Sequence, residues 1–238
     1  GVFALMRVVY WCFGAGFLIG TKVQAAVLCT CCITILYGSL RALCTQHLKR
    51  RLAYSTVSQL SYILMGVMLM TPAGLSAGLT HMVCHALMKI TLFFCAGAIL
   101  YKGGREYVYE LRGAGRAMPV TMTCFTLAGL GLVGVPLFAG FVSKFMLGSA
   151  AAGAGGMGVL GVAALIISAF FTLFYMVLII GAAWFPAEGK EDPHWNNRCD
   201  PNWNMKLPLV VITAMSMVLG LWSGPLIHVF DRIAAGGL

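Results

Sequence analysis

Long apolar runs separated by short polar connections make up most of this chain. Residues 23 to 43, 52 to 70, 75 to 101, 118 to 150, 159 to 185 and 207 to 230 each hold few charges. About 20 apolar residues suffice for a helix to cross a bilayer. Closed membrane barrels require short alternating segments, which these runs are not. The pattern predicts an all-α polytopic membrane bundle of about seven full or broken spans. Residues 1 to 18 read as the second half of a further span that ends near Gly20, Thr21 and Lys22; with no initiator Met or basic leader before them, the expectation is that the helix starts upstream. No low-complexity linker or soluble domain interrupts the series, so residues 1 to 238 are expected to form a single transmembrane domain.

One run departs from the rest. Residues 118 to 150 are too long for one simple span, and Gly134-Val135-Pro136-Leu137-Phe138-Ala139-Gly140 interrupts them where a regular helix tolerates glycine and proline poorly. A discontinuous helix is therefore expected near 134 to 144, and a break at membrane depth persists only where protein or a water cavity satisfies the freed backbone groups. Lys144 follows the break at once. Pro119 and Pro72 suit the first turns of the helices they open.

Composition agrees with this class. Hydrophobic residues are 60% of the chain, charged residues 10%, and mean hydropathy is +0.90, more apolar surface than one soluble core could hide. The net charge of +9 comes from basic residues between the runs, so it marks membrane surfaces and argues against a nucleic-acid partner. Of nine cysteines, eight lie within or beside apolar runs, which suits small apolar fillers better than a disulfide framework.

Chemistry concentrates in residues 75 to 101, where His81, His85 and Lys89 recur at spacings of four. Each step advances ~6 Å and turns ~40°, so the three share one helix face. Lys89 lies 14 residues from Leu75 and 12 from Tyr101, about 18 Å from the nearer end at ~1.5 Å per residue, too deep to snorkel. A charged amine at that depth costs ~3 kcal/mol, which makes it a functional candidate by default. Every acidic residue falls in a loop or near a terminus, so no intramembrane ion pair is evident. The histidines lack a third metal ligand, because Cys84 points off their face, and two axial haem histidines approach from opposite sides, whereas these share one helix. Relay histidines fit best, and no cofactor or metal is expected. Lys144, beside unpaired backbone groups at a broken helix, is a further proton-carrying candidate. Ser55, Ser58, Gln59 and Tyr62 form a hydroxyl and amide stripe suited to a wet helix interface. Lys49, Arg50 and Arg51 read as interfacial anchors, and His194 and His228 as surface or interface residues.

Three segments carry a resemblance. LKRRLAYSTVSQLSYI (48 to 63), HMVCHALMKITLFFCAGAI (81 to 99) and MPVTMTCFTLAGLGLVGVPLFAGFVSKFML (118 to 147) resemble the antiporter-like membrane subunits. These comprise Mrp-type cation/proton antiporter subunits A and D, the large proton-pumping subunits of respiratory complex I, and their counterparts in energy-converting hydrogenases. The resemblance implies that Lys144 is the lysine of the second broken helix, a terminal proton donor, and that His81, His85 and Lys89 form the ladder leading to it. Lys49 and Pro136 fall in the same motifs as supporting residues, with Ser55, Ser58 and Gln59. It also implies that the chain is the C-terminal half of a subunit of about fourteen spans, with one of two inverted half-channels. Many relatives place a Lys or His in the span matching 23 to 43, where this chain has Thr30, Thr34 and cysteines.

The resulting expectation is a proton- or cation/proton-translocating subunit of a multisubunit complex in the inner cell membrane. Its partners would be other membrane subunits, the lipid bilayer, protons and in some settings Na+. Lys89 and Lys144 would alternate between charged and neutral forms, bridged by His81, His85, Ser55, Ser58 and water, with no substrate chemistry of the subunit's own; within complex I it would belong to an NADH:quinone oxidoreductase. The alternatives are a quinone- or haem-associated electron-transfer subunit and a structural, degenerate half-subunit. By the positive-inside rule the loops 44 to 51 and 102 to 117 are cytoplasmic and the loop 186 to 206 external, whereas a fourteen-span frame starting outside predicts the reverse.

Overall fold

The computed structural model describes residues 1–186, 195 and 199–236. Among these the chain is helical, with α1 (Val2–Arg7) continuing through a π-helical segment (Val8–Phe13) into α2 (Ala15–Leu18), then α3 (Lys22–Cys44), α4 (Leu48–Met68) and α5 (Pro72–Gly103). A 3-10 turn (Val108–Leu111) and α6 (Ala114–Ala117) lead to α7 (Pro119–Val133), α8 (Ala139–Gly153), α9 (Met157–Trp184), α10 (Trp203–Leu221) and α11 (Gly224–Gly236). The helices α3, α5, α9 and α10 are long and apolar enough to cross a membrane, and the protein is an all-α, multi-pass membrane protein.

The punctuation follows the side chains. Thr21 caps α3 by accepting from the Gln24 amide at 3.2 Å, and Thr71 caps α5 by accepting from the Gly74 amide at 3.1 Å, with Pro72 in the first turn. Gly104, left-handed at φ 62°, ends α5. The expected interruption of 118 to 150 falls between Val133 and Ala139, and its two arms, α7 and α8, both pack on α5 and α9.

Three expectations need correction. The apolar run 207 to 230 is not one helix: α10 ends at Leu221, and α11 restarts at Gly224 because Pro225, which lacks an amide proton, opens its first turn. Arg51 is not an interfacial anchor. It is 2% exposed, with Nε donating to the Thr45 carbonyl at 2.7 Å and Nη2 to the Leu43 carbonyl at 3.3 Å, so it caps the C-terminal end of α3. The third concerns the loops. The Leu48 amide donates to the Glu106 carbonyl at 2.8 Å and the Val108 amide to the Gln46 carbonyl at 2.9 Å. The Trp195 indole donates to the Glu110 carbonyl at 2.7 Å, and the Cys199 amide to the Ala117 carbonyl at 2.9 Å. The described part of the loop 186 to 206 therefore lies at the same end as the basic loops 44 to 51 and 102 to 117, not opposite them. Glu188, Glu191, Asp192 and His194 lie outside the described residues.

At this loop-rich end Asp200 reaches the start of α7, accepting from the Val120 and Thr121 amides at 3.2 and 3.4 Å and from the Thr121 hydroxyl at 3.1 Å. The opposite end holds the start of α5, the end of α8 and part of α11. Two apolar clusters fill the interior. One joins the C-terminal half of α5 to α7 and α9 through Met88, Leu92, Ile99, Phe125 and Tyr175, and the other joins its N-terminal half to α3, α4 and α8 through Leu75, Leu79, Ile35, Ile63 and Leu147. Cys31, Cys84, Cys95 and Cys124 are buried as fillers, while Cys12, Cys29 and Cys44 are exposed.

Candidate functional site

The unbroken α5 carries His81, His85 and Lys89 into the interior, at 0%, 5% and 5% exposure. Every interior carbonyl of such a helix already accepts an amide along its own axis, and the ionisable side chains of α5 find their partners on neighbouring helices. His81 does so on both ring nitrogens: Nδ1 lies 2.9 Å from the Ser143 hydroxyl of α8, and Nε2 lies 3.1 Å from Gln59 Oε1 of α4. His85 stacks one turn on, with ring centroids 6.1 Å apart and planes inclined by 21°. Lys89 Nζ donates to the Leu52 carbonyl in the second turn of α4 at 3.0 Å. Three helices are thus bound by one polar seam.

Lys144 is held in another way. The break after Val133 frees carbonyls at the end of α7, and Lys144 Nζ donates to two of them, Leu132 at 2.6 Å and Val133 at 3.0 Å. Gly134, at φ +96°, turns the chain there, where a side chain would be strained and a Cβ would crowd the lysine stem. The ammonium also lies 5.8 Å from the centroid of the Tyr62 ring, itself edge-on to His81 at 5.6 Å. Tyr62 therefore touches both the histidine ladder and Lys144. Lys144 lines a largely apolar cleft of about 510 Å³ between α8 and α9.

The serines expected to bridge the lysines face elsewhere. Ser55 accepts from the Tyr175 hydroxyl of α9 at 2.7 Å. Ser58 meets Ser39 of α3 at 2.8 Å and Ser168 of α9 at 3.1 Å; Ser39 and Ser168 also touch, and Tyr62 donates to Ser168 at 2.7 Å. Of the stripe on α4, Gln59 alone meets the histidine ladder through a hydrogen bond. Lys49 is half-buried in the first turn of α4, and Pro136 is exposed in the turn between α7 and α8; among the described residues neither joins the polar seam.

Ser143, Tyr62, Ser39, Ser168 and Tyr175 complete the arrangement, yet the sequence marks them unequally. Tyr62 follows Gln59 and Ser58 at helical spacing, a legible signal. The others are isolated polar residues in apolar runs whose partners lie on distant segments. Ser39 lets α3 join the network with a hydroxyl.

Magnitudes indicate what this network is for. Hydrogen bonds between membrane helices contribute ~0.6 kcal/mol on average, whereas each charged amine at bilayer depth costs ~3 kcal/mol. His85 Nδ1, Gln59 Nε2 and Thr80 Oγ1 are also buried without a hydrogen-bond partner among the described residues, a further cost to stability. An apolar interior would be the more stable one, so stability alone does not account for the seam. Among the described residues no carboxylate touches His81, His85, Lys89 or Lys144, and no group of three or more His, Cys, Asp or Glu side chains is placed to hold a metal ion.

Residues 1–180 match the family described as NADH:quinone oxidoreductase/Mrp antiporter, transmembrane. The chain is 32% identical over 211 residues to the F(420)H(2) dehydrogenase subunit N of Methanosarcina mazei, covering 85% of this chain and 42% of that protein. It is 34% identical over 204 residues to the NADH-quinone oxidoreductase subunit N of Desulforudis audaxviator, covering 81% and 40%. It thus spans about two-fifths of the length of these curated relatives. Its fold superposes on a chain of the Mrp complex from Dietzia sp. with a TM-score of 0.86 at 24% identity, covering 99% of this chain and 50% of that one.

Proposed function

The chain belongs to the NADH:quinone oxidoreductase/Mrp antiporter transmembrane family, and on that premise we propose that it translocates protons, or exchanges a cation for protons, as part of a larger membrane complex. Lys144, Lys89, His81 and His85 carry the relay. In this reading the chain is the C-terminal half of a longer subunit of the inner cell membrane, consistent with the two-fifths of its relatives that it spans. Its partners are other membrane subunits, lipid, protons and Na+ where exchange occurs.

The observation that carries this reading is the buried seam itself. Two stacked imidazoles and two amines share the interior with neutral partners only, so charge placed on one group raises the cost of charge on its neighbours. A proton arriving at Lys89 or His85 favours departure from the next group toward Lys144. His81, bonded on both nitrogens, can accept a proton on one side and release it on the other. Lys144 faces two backbone carbonyls and the Tyr62 ring, which stabilise its ammonium without fixing it as a salt bridge would. No bond other than N–H and O–H changes, so the subunit performs transport without substrate chemistry of its own.

The test is Lys144→Ala and Lys89→Ala in the full subunit within its complex, followed by transport into vesicles. Both variants are expected to assemble and to lose ion-coupled transport. Wild-type transport in both overturns the reading.

A further inference from the structure

One carboxylate on the page belongs to no part of the relay described so far. Asp231 lies on α11 and accepts from the Ser76 hydroxyl of α5 at 2.5 Å, five residues before His81 on the ladder helix. It sits at the end of the bundle opposite the basic loops. Among the other described acidic residues, Glu106, Glu110 and Asp200 all serve the loop-rich end. Asp231 is exposed and lines a cleft of about 440 Å³ formed with the start of α5 and the end of α8.

That cleft adjoins the one that holds Lys144. Ser149 of α8 lines both, and it is the residue they share. Five residues separate Lys144 from Ser149, a rise of ~7.5 Å along α8 toward Asp231. Polar groups therefore mark the way outward in sequence: the Lys144 ammonium, the Ser149 hydroxyl, then Asp231 with Thr71 beside it. In the largely apolar first cleft Lys144 and Ser149 are the polar side chains of the lining, and in the second Thr71, Ser149 and Asp231 offer partners to water.

We propose that Asp231 is the water-facing end of the path that leads from Lys144, with Ser149 as its intermediate step. This rests on the relay reading above. The Lys144 N–H bond breaks and its proton passes through water at Ser149 to the Asp231 carboxylate, which becomes a carboxylic acid; the acid then loses the proton to the aqueous phase, leaving an amine behind and the carboxylate restored. The reverse sequence loads Lys144 from the same side. The exposed anion also attracts cations to the mouth of the path.

The competing role is mechanical, a hydrogen bond that pins α11 to α5. Asp231→Asn keeps an oxygen for the Ser76 hydroxyl but removes the proton site, Asp231→Glu keeps the site, and Ser76→Ala removes the pin alone. In the full subunit within its complex, transport is expected to fall by roughly tenfold or more in Asp231→Asn with assembly intact, to recover in Asp231→Glu, and to persist in Ser76→Ala. Ser149→Leu, which fills the junction between the clefts, is expected to lower transport as Asp231→Asn does. Wild-type transport in Asp231→Asn, or an equal loss in Ser76→Ala, overturns the proposal. Lys144→Ala assayed alongside separates the two readings: if it loses transport while Asp231→Asn does not, the relay stands and the mouth lies elsewhere.

Discussion

The two lysines of this protein are both buried and are held in opposite ways. Lys89 belongs to an unbroken helix, α5, and its ammonium reaches across to the Leu52 carbonyl of α4, which also accepts from the Thr56 hydroxyl. Lys144 lies in the second turn of α8, the helix that restarts after the break, and its ammonium returns to Leu132 and Val133, carbonyls released by that break. Lys89 finds its acceptor on a neighbouring helix, so its place depends on tertiary packing. A broken helix carries its own acceptors. The Lys144 end of the seam is accordingly organised by a local backbone feature, and the His81–Lys89 end by the alignment of α4, α5 and α8.

The sharpest way to break this comparison is Lys144→Arg. The freed carbonyls can receive a guanidinium, but arginine does not release its proton, so the complex is expected to assemble while transport falls to the level of empty vesicles. Transport by this variant would show that Lys144 need not titrate. The next largest effect is expected at Gly140, where an added Cβ would overlap the Gly131 carbonyl oxygen and force α7 and α8 apart. Gly140→Ala should cost about 1–3 kcal/mol as an overpacking change, read as a lowered unfolding temperature in detergent, and should loosen Lys144 more than Lys89. His81→Leu tests the opposite branch. It leaves Ser143 and Gln59 without their partner, a loss of about 1–2 kcal/mol, and transport should fall while the α7–α8 break survives; thermal unfolding and vesicle transport together separate the two effects. Ser39→Ala is expected to be the mildest, near 0.6 kcal/mol for an interhelical hydrogen bond. If it nevertheless abolishes transport, the hydroxyl network of α3 belongs to the relay and not only to its scaffold.

Much of this arrangement can be read from local sequence. The Gly134 to Gly140 segment announces its break because glycine and proline act on the backbone wherever they stand, and the spacing of His81, His85 and Lys89 puts them on one face whatever surrounds the helix. Arg51 shows the limit of such reading. A basic cluster at a span's edge resembles an anchor, yet Arg51 folds inward because the end of α3 offers carbonyls it can cap. The split of 207 to 230 was marked by Gly224-Pro225, but apolar content concealed it. The placement of the described part of the loop 186 to 206 depends on the hydrogen bonds of Trp195, Cys199 and Asp200, which no charge count contains.

What the sequence determines alone is therefore the membrane class, most of the span positions, the interruption between Gly134 and Gly140 and the identity of the four costly ionisable groups. Those features follow from composition, period and backbone chemistry acting over a few neighbouring residues. Tertiary structure decides which hydroxyls and amides meet them: Gln59 and Ser143 at His81, Tyr62 against both His81 and Lys144, Ser39 and Ser168 beside Ser58, and Asp231 against Ser76. Each of those contacts joins helices far apart in the chain. Their selection rests on how whole helix faces pack, which local sequence patterns leave undetermined.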